Sequence, residues 1–261
     1  MKRLWSTLST EILKMFRSKI FWITILAFSF ITIILALMMF ILKNPEFARN
    51  NGLLGAKAQL IGEANWSSYF NILAQVIAMG GLIGFGFVCS WIFGREFSDR
   101  TIKNLLALPV SRSIIVLAKF LVMIFWCLLL SFIVMVVGLI SGGIVDIPGW
   151  SFHVFFEGLN MLIVTSILTI VLSIPVAFFA SYGRGFLSSL GYVISTMVIS
   201  QFVAALGHGA YFPWAIPALY SGAAGSAAKA QLGIISFILV IITGLIGILA
   251  TLLWWRFADH S

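Results

Sequence analysis

Charge is what this sequence has least of. Only 9% of its 261 residues are Asp, Glu, Lys or Arg, while 61% are hydrophobic, and the mean hydropathy is +1.12. A soluble chain of this size carries about a quarter charged residues. With so few, the chain cannot cover its surface in water with polar groups, so a soluble globule is excluded and the bilayer becomes the solvent. Cysteine is also scarce. Cys89 and Cys127 lie inside apolar runs at different expected depths, which argues against a disulfide and for two small buried hydrophobes. No G-x-x-x-x-G-K-S/T stretch occurs, so the chain has no phosphate loop with which to hold a nucleotide. Leu139-Ile140-Ser141-Gly142-Gly143 looks like an ATPase signature, but it closes an apolar run and reads as coincidence.

Other absences narrow the chemistry further. His153, His208 and His260 are isolated in loops or at the tail, and no His/Cys/Glu group has metal-ligand spacing. No apolar run contains a histidine, which excludes an intramembrane serine protease with Ser and His at matched depths. No charge stands at the middle of a run, so an ion-coupled carrier lacks an evident internal couple. The formal charge of +8 and pI near 9.8 do not indicate nucleic acid, because the basic residues sit at the edges of apolar segments rather than in one patch. The amino terminus does not read as a secretory signal. Lys2 and Arg3 precede a mixed polar stretch, and the first apolar run starts near Ile20 and is too long for a signal core.

What is present is apolar length. Six segments are long enough to cross about 30 Å of hydrocarbon at about 1.5 Å per residue: Ile20–Leu42, Ile72–Phe93, Ile114–Ile140, Leu159–Ala180, Phe186–Leu206 and Leu232–Trp255. They should be helices, since hydrocarbon offers backbone N–H and C=O groups no other partner. An even number of spans puts both termini on one side. That side would hold twelve basic residues against four on the other, which predicts both termini in the cytoplasm. The acids divide evenly, so the whole excess of +8 faces the anionic inner leaflet. Trp66, Trp91, Trp150, Trp254 and Trp255 fall where an interfacial aromatic belt is expected. Lys119, five residues into the third span, can snorkel to the inner surface.

Three stretches do not span. In residues 1–19, Leu4, Trp5, Leu8, Ile12, Met15 and Phe16 recur at helical spacing, which predicts an amphipathic interface helix acting as an anchor or as a lever on the first span. Residues 94–113 form a charged insert. A helix is expected from about Ser98 to Leu108, capped by Ser98 or Asp99 and ended by Pro109, with Ser111 capping the next span. Ile102, Leu105 and Leu106 make a ridge at i, i+3, i+4, and Glu96–Arg100 and Asp99–Lys103 are acid-first i, i+4 pairs. A loop that merely obeys the positive-inside rule needs no such ridge, so the insert reads as a surface for a partner. Residues 207–231 are apolar but broken by Pro213 and Pro217, and read as a re-entrant segment or an aromatic loop on headgroups. Gly80 and Gly84 form a G-x-x-x-G suited to close helix approach, and Pro175 should kink the fourth span. Gln75 and Gln201 serve interhelical hydrogen bonds or a substrate path.

This layout resembles the permease subunit of type-2 ATP-binding-cassette (ABC) exporters. The sharpest part is Phe93-Gly94-Arg95-Glu96 through Leu105-Leu106-Ala107-Leu108-Pro109-Val110-Ser111-Arg112, with an acidic element, a leucine pair and a Pro-x-Ser-Arg end. Among these permeases it most resembles bacitracin- and lantibiotic-resistance subunits of Gram-positive bacteria. The resemblance implies an all-α integral membrane fold: six transmembrane helices, an amino-terminal interface helix, a cytoplasmic coupling helix between spans two and three, and a re-entrant segment before span six. It implies that Arg95, Glu96, Asp99, Arg100, Ile102, Lys103, Leu105 and Leu106 couple the chain to a cytoplasmic ATPase. Glu96 and Arg100 would make polar contacts at the ATPase cleft, and the ridge would pack on the ATPase or on the permease base. Two ATPase subunits, a second copy of this chain and membrane lipid are the implied partners, with ATP and Mg held by the ATPase. The chain itself would bind no cofactor. The implied cargo is an amphipathic peptide antibiotic or a lipid-associated compound. A membrane scaffold or sensor, and an ion-coupled carrier, are the competing readings.

Overall fold

The computed structural model describes residues 2–44, 64–99, 101, 110–223, 225 and 230–257, with the side chains of Lys2 and Arg3 left aside. Among these residues the fold is entirely helical. Helix α1 (Lys2–Phe16) is followed by Arg17 and Ser18, which turn the chain into α2 (Lys19–Lys43). Ser18 starts α2 by accepting a hydrogen bond from the Phe21 amide (3.1 Å). Helix α3 (Trp66–Ser98) carries one π-helical turn at Val76–Gly80. It begins six residues earlier than hydropathy suggests, because the Asn65 side chain caps Ser68 (2.8 Å) ahead of the apolar run. Helices α4 (Arg112–Ile144), α5 (Phe152–Tyr182), α6 (Phe186–Ala205), the short α7 (Ile216–Tyr220) and α8 (Ile234–Phe257) follow. Six of these helices, α2–α6 and α8, are long and apolar enough to cross a membrane.

Helices α3, α4 and α5 form the centre. Helices α1 and α2 pack on α4, α6 packs on α3, and α8 lies against α5 and α4. Helix α2 buries only Phe21, Thr24, Phe28, Thr32, Ala36 and Met39, a stripe at helical spacing, and turns Trp22, Ile23, Leu26 and Phe30 outward. Exposed aliphatic and aromatic faces of this kind have hydrocarbon as their natural solvent.

The two glycines of the G-x-x-x-G differ in what they meet. A Cβ on Gly84 would stand 2.5 Å from the Phe28 ring, so α2 and α3 meet closely there, whereas one on Gly80 would meet nothing nearer than Val76 at 3.8 Å. Only half of the G-x-x-x-G is therefore a contact. Pro175 interrupts α5 between Ser173 and Val176, as its lost N–H requires. After α6 the chain makes 3-10 turns at Gly209–Tyr211 and Pro213–Ala215 and enters α7. Here Ile216 is buried with Leu82, Leu168, Leu172 and Val240, so the segment reaches inward beside the middle of α3 and α5.

The aromatic belt needs correcting. Trp66, Trp91 and Trp255 are buried in the core, and of the five expected belt residues only Trp150 is largely exposed. Trp255 donates from Nε1 to Ser181 Oγ (2.9 Å), and Trp66 packs against Tyr69, Phe70 and Trp150. A tryptophan at the end of a span serves helix packing as readily as a headgroup layer. Both cysteines are buried and free.

Candidate functional site

At the end of the bundle where α1 lies, five ionic side chains meet: Glu11 and Lys14 of α1, Arg95 and Glu96 of α3, and Lys119 of α4. Lys119 Nζ is 2.7 Å from Glu96 Oε1 and 3.4 Å from Glu11 Oε2, and it donates to the Ile92 carbonyl at 2.9 Å. Lys14 Nζ is 2.7 Å from Glu11 Oε1 and 3.5 Å from Glu96 Oε1. Arg95 lies 3.4 Å from Glu96 and 3.7 Å from Glu11. Lys119 is 0% exposed, Glu96 3% and Glu11 4%. Three cations and two carboxylates thus meet with one excess positive charge; Lys119, Glu96 and Glu11 are buried, while the side chains of Arg95 and Lys14 keep 17% and 34% exposure. Separating the buried three costs far more than at a surface. Glu96 Oε2 is buried and has no hydrogen-bond partner among the described residues.

The layer beneath is aromatic. Arg95 sits 4.4 Å above the Trp91 ring, Trp91 meets Trp126 at 5.5 Å, and Trp126 meets Phe21 at 5.3 Å. Trp126 Nε1 donates to Thr24 Oγ1 (3.1 Å), which carries the contact into the first turns of α2. Nearby, Arg112 donates to the carbonyls of Trp255 (3.1 Å) and Arg256 (3.4 Å), groups that the end of α8 cannot satisfy itself. Gly94 faces the α5–α6 turn, where an added Cβ would meet the Gly185 backbone at 3.3 Å. The end of α3, the start of α4, α1, the α5–α6 turn and the end of α8 thus form one platform.

This platform revises the expected insert. Arg95 and Glu96 belong to the last turns of α3 rather than to a loop. The Glu96 carboxylate faces inward to Lys119, so it is not presented for direct contact with another protein. Lys119 does not snorkel, because two carboxylates and a carbonyl satisfy its ammonium where it stands. Ser98 and the exposed Asp99 end α3, with Asp99 N–H donating to the Arg95 carbonyl (2.8 Å). Arg100, Ile102, Lys103, Leu105 and Leu106 lie outside the described residues, and with them the ridge and the i, i+4 partners of Glu96 and Asp99. Ser111 stands at the N-cap of α4 but offers its carbonyl, not its hydroxyl. Gln75 is half-buried just before the π-helical turn of α3, and Gln201 is exposed on α6.

Glu11 went unread as a site residue. Its signal is an acid within the stripe Leu4, Leu8, Glu11, Met15, where an apolar residue is expected. The far end of the bundle holds simpler pairs. Lys43 Nζ donates to the Asp146 carbonyl (2.5 Å) and lies 3.3 Å from its carboxylate, and His153 and Glu157 are exposed neighbours at 3.5 Å.

Comparison with known proteins gives two results. The family model described as ABC-2 family transporter protein matches residues 7–203, from α1 through α6. The bacitracin transport permease protein BCRB of Bacillus licheniformis is 28% identical over 184 residues, which cover 70% of this chain and 88% of that protein.

Proposed function

The chain belongs to the ABC-2 transporter family, and from that premise we propose that it is the permease of an ATP-driven exporter of bacitracin-like amphipathic peptides or lipid-associated compounds. In this reading a separate cytoplasmic subunit binds ATP and Mg and hydrolyses the nucleotide. Two such subunits work with two copies of this chain. The cargo class follows the name of the bacitracin permease it resembles and suits helices whose outer faces are aliphatic and aromatic.

The observation that carries the proposal is the ionic platform. Glu96 near the end of α3 and Lys119 near the start of α4 flank the segment between these helices and are bonded to each other and to α1. Such a segment is mounted to take a push from outside. The basic bias of twelve to four assigns that end to the cytoplasm, where an ATPase would meet it. ATP favours the closed ATPase pair by its differential affinity, and the paired subunits carry the mounted segment with them. Arg95, Glu96, Asp99, Arg100, Ile102, Lys103, Leu105 and Leu106 are the coupling set, with Glu96 acting from inside the platform.

Purification from native membranes through a tag on this chain tests the proposal. Stoichiometric recovery of a P-loop ATPase, and bacitracin efflux from vesicles that survives dissipation of ion gradients but stops without ATP, are expected. Recovery of this chain without an ATPase would leave a scaffold or sensor; efflux driven by an ion gradient alone would make it a secondary carrier.

A further inference from the structure

Lys119 joins three elements through one atom. Its Nζ reaches Glu96 near the end of α3 (2.7 Å), the Ile92 carbonyl one turn earlier (2.9 Å) and Glu11 of α1 (3.4 Å). All three donors of the ammonium are engaged and none faces water. Arg112 begins α4 two turns before it, so Lys119 stands just inside the point where the chain returns to the bundle.

We propose that Lys119 is a positioning residue for energy coupling. It locks both roots of the segment between α3 and α4 to α1, so that a force on the segment moves the end of α3, the start of α4 and α1 as one body. The proposal rests on the ATP-driven reading above. A flexible root would absorb the displacement locally, by bending α3 after Ile92 or α4 before Lys119. The buried pair resists that bending, because parting the charges breaks the shortest contact either of them makes, in a place that water does not reach. The block does not stop at the charges. Trp91, Trp126 and Phe21 continue it to α2, which Ser18 caps immediately after α1. A displacement of the end of α3 and the start of α4 would thus reach the first span through side chains of α3 and α4 rather than along the chain.

The test uses the full complex with its co-purified ATPase, in vesicles of phosphatidylethanolamine and phosphatidylglycerol, with bacitracin as the transport probe. The variant combines Lys119→Met with Glu96→Gln. It removes one charge of each sign, so the cluster keeps its net charge. We expect bacitracin moved per ATP hydrolysed to fall roughly tenfold. A variant that keeps the wild-type ratio of transport to hydrolysis overturns the lock, even if both rates fall together as in a merely destabilised complex.

A second measurement leaves the cluster intact. Spin labels replace the exposed Ser9 of α1 and Ser113 of α4, and their separation is compared without nucleotide and with ATP trapped. A change below about 2 Å is expected for one body, and a larger one overturns the lock. A wild-type complex that contains no ATPase overturns the transporter reading itself, and the lock with it.

Discussion

Gly247 of α8 rests on the backbone of Pro175: a Cβ added to the glycine would stand 2.8 Å from both N and Cα of the proline. The break in α5 and the missing side chain on α8 are therefore one fitted contact. Neither backbone atom of Pro175 can swing aside as a side chain would. Gly247→Val should destabilise the fold by about 1–3 kcal/mol through overpacking, read as a lower thermal midpoint in detergent. Gly143→Ala, at a site with nothing within 4 Å, is the control and should be neutral or slightly stabilising.

The two glycines of the G-x-x-x-G should behave differently. Gly84→Val forces the Phe28 ring off its stack on Phe85, where the centroids are 5.9 Å apart, and should cost about 1–3 kcal/mol. Gly80→Ala should be tolerated. Equal losses of stability at both positions would mean that Gly80 also serves a contact, one outside this chain.

Charge removal from the platform should be strongly non-additive. Lys119→Met alone leaves Glu96 and Glu11 buried with a cation missing, at a cost of about 3–5 kcal/mol. Lys119→Met together with Glu96→Gln should recover most of that loss. A thermal double-mutant cycle measures the coupling. A coupling energy near zero would show that the two groups do not depend on each other.

The hydrogen bond from Trp255 Nε1 to Ser181 Oγ is separable from the ring's packing. Trp255→Phe should lose about 1 kcal/mol beyond its volume change, and less of it in a Ser181→Ala background. Thermal midpoints of the four proteins read this directly.

Orientation can be read by labelling. Cys89 and Cys127 are buried, so an impermeant thiol reagent should mark the unaltered chain weakly. With the platform end in the cytoplasm, Ser113→Cys should label only after the cells are opened, and His153→Cys at the far end should label in intact cells. The reverse pattern would invert the assignment of sides on which the coupling reading depends.

Much of the architecture could be read from local sequence. The spans at 20–42 and 186–206 fall within one residue of α2 and α6, and Pro175 breaks α5 where expected. Trp66 and Trp255 misled because end-of-span position says nothing about which way a ring points. Lys119 misled for a related reason. Its place near the end of a span made a route to water look available, yet Glu11 and Glu96 meet it first. Of the five residues in the ionic cluster, the expected coupling set held Arg95 and Glu96 but not Glu11, Lys14 or Lys119.

The sequence by itself determined that this chain lives in a bilayer and crosses it by long helices. Hydropathy accumulates over neighbouring residues, and hydrocarbon accepts no spanning segment that fails to bond its own backbone. Only the tertiary structure decided which charges are buried and what they hold together. Glu11, Glu96 and Lys119 lie on three helices, and a buried ion is tolerable only when partners from elsewhere in the chain arrive within bonding distance.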